Sequence, residues 1–225
     1  MTASCPGFAS YQNQPNGQVT VNGQLQYASE RNAELLLDAW EKYGGLILQT
    51  AQKYQLQPAW LIGIMMAESK GNQHACSPCS ACRPELCVTG AGLRCCAFGV
   101  MQFIAPTAAA YGVTPDQLIR SPAVSIDVGG RFIRDLANKV GYDIVRIAAA
   151  YNGGIGKCGK AGTTFGWYTN ADYPFEVVKY VNTFVSLQPN YSPSSGLGLA
   201  GAFFLTLGLG VAAGVYTGKV KNPWR

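Results

Sequence analysis

Residues 58–68 read Pro-Ala-Trp-Leu-Ile-Gly-Ile-Met-Met-Ala-Glu, ten uncharged residues that end in one carboxylate. Pro58 fits the first turn of a helix, where its missing N–H costs nothing. Trp60, Leu61, Ile64, Met65 and Ala67 leave no polar face, so this helix has to lie inside the protein, with other elements packed around it. Glu68 closes it. A carboxylate is unfavourable at the C-terminal end of a helix dipole, and apolar neighbours one turn back disfavour its charged form. Both effects raise its proton affinity, which suits a group that gives up a proton near neutral pH.

The 225 residues suffice for one domain with a sizeable core plus appendages. A helical pattern recurs along most of the chain. Over 30–54, Leu35, Leu36, Trp40, Tyr43, Ile47, Leu48, Ala51 and Tyr54 repeat at helical spacing, with Gly44-Gly45 as a possible bend or split. A short helix over 106–111 is stopped by Gly112. Thr114-Pro115-Asp116-Gln117 has a capping-box pattern, and Ser121 caps a helix over 122–140. An apolar helix over 143–151 ends at Gly153-Gly154, and a last helix over 174–187 turns Val177, Val178, Val181, Phe184 and Val185 inward. The polar segment 1–29 reads as an arm or loop with one short strand at most, which Cys5 could tie to the body. No strand-rich region competes, so the expected fold class is all-α, with a body over 30–188.

Eight cysteines are many for a chain of this size, and six of them lie between Cys76 and Cys96. They sit in a segment, 70–97, that lacks helical or strand periodicity and reads as a loop. The spacing Cys76-x2-Cys79-x2-Cys82-x4-Cys87, then Cys95-Cys96, is compatible with a disulfide-stapled insertion, with a structural zinc site using His74, or with an iron–sulfur cluster whose last interval is wrong. All three are structural roles, because the loop has no core of its own.

Charged residues are 13% of the chain, about half the usual share. The deficit has a local source. A linker of Pro, Asn and Ser over 189–195 is followed by 196–218, an uncharged Gly-, Leu- and Ala-rich run long enough to cross a hydrocarbon layer. Lys219, Lys221 and Arg225 form a basic tail over 219–225, with Tyr216 and Trp224 near that edge. The expectation is a tail-anchored, single-pass membrane protein without a cleavable signal peptide. The net charge of +5 suits an anionic surface, and no cluster of Lys and Arg with interleaved aromatics argues for nucleic acid.

Five short stretches then fall into order: Ala67-Glu68-Ser69, Gly99-Val100-Met101-Gln102, Thr107-Ala108-Ala109-Ala110-Tyr111-Gly112-Val113, Ala149-Ala150-Tyr151-Asn152-Gly153-Gly154 and Tyr180-Val181. The series, from about residue 46 to 187, resembles the soluble lytic transglycosylase family, whose fold is similar to goose-type lysozyme. Val100 replaces that family's usual leucine, and the gap between the Glu-Ser pair and the Gly-x-Met-Gln stretch is much longer here because the cysteine-rich segment fills it. The resemblance implies a peptidoglycan substrate, cleavage of the β-1,4 bond between N-acetylmuramic acid and N-acetylglucosamine, a 1,6-anhydro product and no cofactor or metal. It implies Glu68 as the catalytic acid and then base. Ser69 and Gln102 would orient acid and sugar, Met101 would form an apolar wall of the groove, Tyr151 and Asn152 would lie near Glu68, and Tyr180 would line the cleft.

Asp127, Asp143, Asp172 and Glu176 have no apolar approach that marks them as a second catalytic acid. One carboxylate suffices where the substrate's own N-acetyl group stabilises the anomeric carbon. A hydrolysing lysozyme and a non-catalytic, membrane-anchored peptidoglycan-binding protein remain as alternatives. Tail anchoring suits a phage virion membrane or an envelope-spanning secretion machine, whose proteins would then be partners.

Overall fold

The computed structural model describes residues 10–155 and 172–188. Seven α-helices lie among them: α1 (Glu30–Tyr54), α2 (Pro58–Ser69), α3 (Ala105–Ala110), α4 (Pro115–Arg120), α5 (Pro122–Val140), α6 (Ile144–Gly153) and α7 (Tyr173–Leu187). The linker 189–195, the apolar run 196–218, the basic tail, Cys5 and Cys158 lie outside the described residues. Among those described, no helix is long and apolar enough to cross a membrane.

The uncharged helix takes the central place its composition demands. Every residue of α2 from Ala59 to Met66 is buried. Helices α1, α5 and α7 pack around it. Its closest neighbour is α7, and Gly63 is the reason: a Cβ there would stand 2.7 Å from Val181 Cγ2. Further along α2, Glu68 meets Tyr173 at the start of α7. The contacts move back along α7 as α2 runs forward, so the two helices are antiparallel.

The caps read from the sequence form as expected. Gln117 N–H donates to Thr114 Oγ1 (3.3 Å) and Thr114 N–H donates to Gln117 Oε1 (2.9 Å), closing the capping box. Val124 N–H donates to Ser121 Oγ at 3.3 Å. Helix α1, by contrast, runs unbroken through Gly44-Gly45. Gly44 is not a bend but a seat: a Cβ there would touch the Trp40 ring at 3.2 Å.

Two expectations are corrected. The N-terminal segment is more than an arm with one strand. Tyr11–Asn13 (β1), Val19–Val21 (β2) and Gln24–Leu25 (β3) form a three-stranded antiparallel sheet, with β2 in the middle. Val19, Val21 and Ala28 belong to the main hydrophobic core. Buried Asn182 of α7 clasps this sheet, accepting from Val19 N–H (2.7 Å) and donating to Val19 O (2.8 Å) and Gln26 O (2.9 Å).

The cysteine-rich segment is likewise not a featureless loop. It carries two single-turn 3-10 helices and a hairpin of β4 (Val88–Gly90) and β5 (Leu93–Cys95). Beyond it, β6 (Ala97–Phe98) and β7 (Phe103–Ile104) form a second hairpin. All six cysteines pair: Cys76–Cys95, Cys79–Cys87 and Cys82–Cys96. The thiols that a zinc or iron–sulfur site would need are therefore spent on cross-links. The body is mainly helical, with these small sheets added at its N-terminus and in its insertion.

Candidate active site

Glu68 sits in the last turn of α2, with its carboxyl largely shielded from water. Tyr173 donates a hydrogen bond of 2.6 Å to Glu68 Oε1. Burial raises the Glu68 proton affinity from the ordinary 4.5 to about 7, against the opposing pulls of the Tyr173 hydroxyl and then the Lys70 ammonium. Desolvation wins, so a substantial share of the molecules carries a protonated Glu68 at neutral pH. That is the poise a general acid needs.

Two tyrosines flank the acid. Tyr173 is buried, and burial followed by the nearby Glu68 carboxylate pushes its hydroxyl well above the ordinary range. Tyr151 is raised for the same reasons, burial first and Glu68 second. Both therefore remain proton donors across the working range of the site. The Tyr151 hydroxyl donates to the Met101 carbonyl at 2.6 Å, and its ring packs on Phe132 and Phe103 at centroid distances of 5.1 and 5.9 Å.

The Gly99–Gln102 turn is locked from several sides. Gly99 has φ +75°, and a Cβ there would collide with the Leu118 carbonyl, so only glycine fits. Ser69 Oγ donates to Val100 O (2.8 Å), fastening the end of α2 to this turn. Gln102 donates to Gly99 O (2.9 Å) and Ala75 O (3.0 Å), and accepts from Ser77 Oγ (2.6 Å). The cysteine-rich excursion leaves and returns at this place. Ser77 N–H donates to Ala97 O, Cys96 N–H to Ser77 O and Gly99 N–H to Ala75 O, which makes a paired neck. Cys76–Cys95 crosses it.

Of the residues singled out in the sequence, Tyr151 lies close enough to Glu68 to feel its charge, and several of the others do different work from that expected. Ser69 and Gln102 brace the backbone; neither is bonded to the Glu68 carboxyl. Met101 is wholly buried against Gly129, so its side chain is core and not a groove wall. Its carbonyl is what reaches Tyr151. Asn152 is exposed in the last turn of α6. Tyr180 is buried, and Lys70 Nζ donates to its hydroxyl at 2.5 Å.

Tyr173 and Lys70 were not foreseen. Tyr173 precedes Pro174 and belongs to no apolar repeat that reaches the acid. Its only sequence signal is an aromatic hydroxyl beside a helix-initiating proline. Lys70 simply follows the Glu-Ser pair.

Three of the four carboxylates set aside earlier have partners of their own. Asp127 accepts from Lys53 and Tyr54, and Asp143 caps α6 and accepts from Tyr11. Asp172 precedes α7, and Glu176 faces Lys70 and Lys179. Among the described residues, the groups that act most on Glu68 are a tyrosine and a lysine, not a second acid.

The helical body thus holds a protonatable carboxyl at the tip of its innermost helix, with phenolic hydroxyls beside it. Residues 45–173 match the Transglycosylase SLT domain family, more than half of the chain, and the chain belongs to that family. Members of the family are lytic transglycosylases acting on peptidoglycan, and this protein is an enzyme of that type. No curated protein matches the chain.

Proposed function

We propose that the protein cuts the β-1,4 bond between N-acetylmuramic acid and N-acetylglucosamine, with Glu68 as the sole carboxylate catalyst. Protonated Glu68 gives its proton to the leaving glycosidic oxygen as the C1–O bond breaks. The 2-acetamido carbonyl oxygen of the muramyl residue bonds to C1 and carries the positive charge, the substrate-assisted route open to sites with one acid. Glu68, now a carboxylate, takes the proton of the C6 hydroxyl. That oxygen bonds to C1 as the acetamido oxygen leaves, and the 1,6-anhydro ring closes with no water consumed. Glu68 is protonated again for the next cycle.

The observation that carries this reading is the place of Glu68, at the end of the buried helix α2 with Tyr173 donating to its Oε1 at 2.6 Å, where burial raises its proton affinity to about 7 against the pulls of Tyr173 and Lys70. An acid so poised serves as donor and then acceptor within one turnover. Tyr173 fits the second half, since its hydrogen bond favours the carboxylate that the first transfer creates.

The uncharged run 196–218 and its basic flank support a membrane anchor that keeps this activity at a bilayer next to the wall, in a virion membrane or an envelope machine. Local opening of the wall is the role that fits such a tether. Mass spectrometry of muropeptides released by the full chain tests the chemistry. Anhydromuramyl ends, abolished in Glu68→Gln, support it. Reducing ends would mean hydrolysis, and undiminished degradation by Glu68→Gln would overturn the assignment of the acid.

A further inference from the structure

Gln102 has a left-handed backbone, φ 49°, a costly conformation for a residue that is not glycine. Such a cost persists only where neighbours hold the residue in place. Two of the three partners that hold its side-chain amide belong to the insertion. Gln102 Nε2 donates to Ala75 O at 3.0 Å, Ser77 Oγ donates to Gln102 Oε1 at 2.6 Å, and only the 2.9 Å bond to Gly99 O stays within the turn. The turn in its place carries the surroundings of the acid. Val100 O accepts from Ser69, the residue after Glu68, and Met101 O accepts from Tyr151.

Cys76 lies between the two insertion residues that hold Gln102. Its backbone pairs antiparallel with Phe98, just before the turn, and its sulfur is joined to Cys95. Cys95 is fully buried, and the next residue, Cys96, donates its N–H to Ser77 O and is joined to Cys82. Cys76 is only half-buried, which is the side from which a small thiol can reach the bridge. The insertion has no packing to replace its staples: of residues 70–94 only Gly90 is buried.

We propose that the insertion is a redox latch on the active site. With Cys76–Cys95 closed, Ala75 and Ser77 hold Gln102 and the enzyme turns over; with the bridge reduced, the turn loosens and turnover drops while the helical body stays folded. Ser77 is then a positioning residue that acts through Gln102 and the turn on Tyr151 and Glu68. Opening needs a dithiol. One thiolate attacks a sulfur of the bridge and the second resolves the mixed disulfide, so two electrons pass, leaving Cys76 and Cys95 as thiols and the dithiol as its own disulfide. An enzyme built this way is inert where thiols are kept reduced and competent where disulfides form. The proposal rests on Glu68 being the acid.

The test treats the full chain in detergent with dithiothreitol, alkylates a sample, and identifies the labelled cysteines by peptide mass. Labelling of Cys76 and Cys95 should accompany a fall in kcat for peptidoglycan solubilisation of about tenfold or more, with little change in KM. The far-UV helical signal should be unchanged, the Gly99 and Gln102 amides should exchange faster, and oxidised glutathione should restore the rate of a sample that was not alkylated. Cys76→Ser/Cys95→Ser should start at the reduced rate and not respond to the dithiol, whereas Cys79→Ser/Cys87→Ser should start near wild type and respond in full. Ser77→Ala, which leaves every bridge intact, should lower kcat about fivefold, and Ser77→Thr should recover most of it. Full kcat with Cys76 and Cys95 labelled overturns the proposal, as does a rate that falls only together with the helical signal. If the bridge resists the dithiol or the double variant does not fold, wild-type kcat in Ser77→Ala overturns it instead. An active Glu68→Gln would defeat the assignment of the acid alone, because hydrogen exchange at Gln102 reads the latch without catalysis.

Discussion

Tyr173 places its hydroxyl 2.6 Å from Oε1 of Glu68, across the seam between the first residue of α7 and the last turn of α2. This bond lowers the proton affinity of Glu68 while burial raises it further. Replacing Tyr173 by Phe keeps the ring and removes only the donor. A hydrogen bond to an ionised group is worth about 1.5–3 kcal/mol, so kcat should fall by roughly ten- to a hundredfold. KM should change little, and the alkaline limb of the pH profile should move up. Steady-state kinetics across pH checks this; a Phe variant with wild-type kcat would show that the bond does not matter to turnover.

The same carboxyl links pH to stability. Glu68 holds its proton up to about 7 in the folded protein, against an ordinary 4.5. Between those values the folded state binds a proton that the unfolded chain has lost. Its contribution is therefore fully present below pH 4.5 and is lost as pH rises through 7. Glu68→Gln removes the titration and mimics the protonated acid. Between pH 4 and pH 8 the wild type should lose about 2 to 3 kcal/mol relative to the Gln variant, the lower figure allowing for partial contact with water. Denaturant unfolding at the two pH values measures it. Equal pH dependence in both proteins would mean that Glu68 is not desolvated.

The half of this arrangement that α2 supplies was legible in the chain because its cause is local. An uncharged helix has to be buried, and a carboxylate at its end has to feel that burial; α2 and Glu68 follow from ten residues. The caps at Thr114 and Ser121 were legible for the same reason. What α7 brings to the acid was not, since the pairing of Tyr173 with Glu68 spans 105 positions and rests on how two helices cross. Apart from the one short strand allowed for in the N-terminal segment, the strands were missed because they are only two or three residues long, too short for an alternating pattern to register. Six cysteines allow 15 pairings, so spacing alone could not choose among them. Ser69 and Gln102 read from the sequence as orienting acid and sugar, and Met101 as a groove wall, whereas Ser69 and Gln102 hydrogen-bond to backbone carbonyls and Met101 packs in the core.

The neck of the insertion yields a third prediction. Cys76–Cys95 joins two strands of the paired backbone that Gln102 braces, whereas Cys79–Cys87 links residues 8 positions apart that make none of the neck's hydrogen bonds. Replacing Cys76 and Cys95 by Ser should destabilise the fold by about 2–4 kcal/mol and loosen the Gly99–Gln102 turn. Faster hydrogen exchange at the Gly99 and Gln102 amides, with reduced peptidoglycan turnover, is the expected result. The corresponding change at Cys79 and Cys87 should leave turnover close to wild type. Equal losses from both pairs would argue against any special role for the neck.

Asn182 tests whether the N-terminal sheet is part of the folded body. Its side chain makes three hydrogen bonds, two buried ones to Val19 and a part-buried one to Gln26. Ala leaves those backbone groups buried and unpaired, which should cost about 2–4 kcal/mol. The amides of β2 should then exchange faster than those of α2 and α5. A variant as stable as wild type would show the sheet to be a loosely held appendage.

The position of α7, on which both Tyr173 and Tyr180 depend, is fixed by the close approach at Gly63. Two effects of Gly63→Ala compete. Alanine in place of glycine within a helix contributes about 1 kcal/mol of stability. Against this, the new methyl would lie 2.7 Å from Val181 Cγ2, nearer than real contacts allow. Val181 is fully buried and branched at Cβ, so it has no free rotamer to yield into, and α7 has to move instead. Overpacking of this kind costs about 1–3 kcal/mol, so the variant should be neutral to destabilised by about 2 kcal/mol. The larger effect should be on rate, because a shift of α7 lengthens the Tyr173–Glu68 bond. Val181→Ala removes the methyl that collides, so Gly63→Ala should cost less stability and less activity in that background, giving a favourable coupling of about 1 kcal/mol. Unfolding free energies and kcat for the four proteins of the cycle measure it. Strict additivity in both would mean that the two helices are not held in register at this contact.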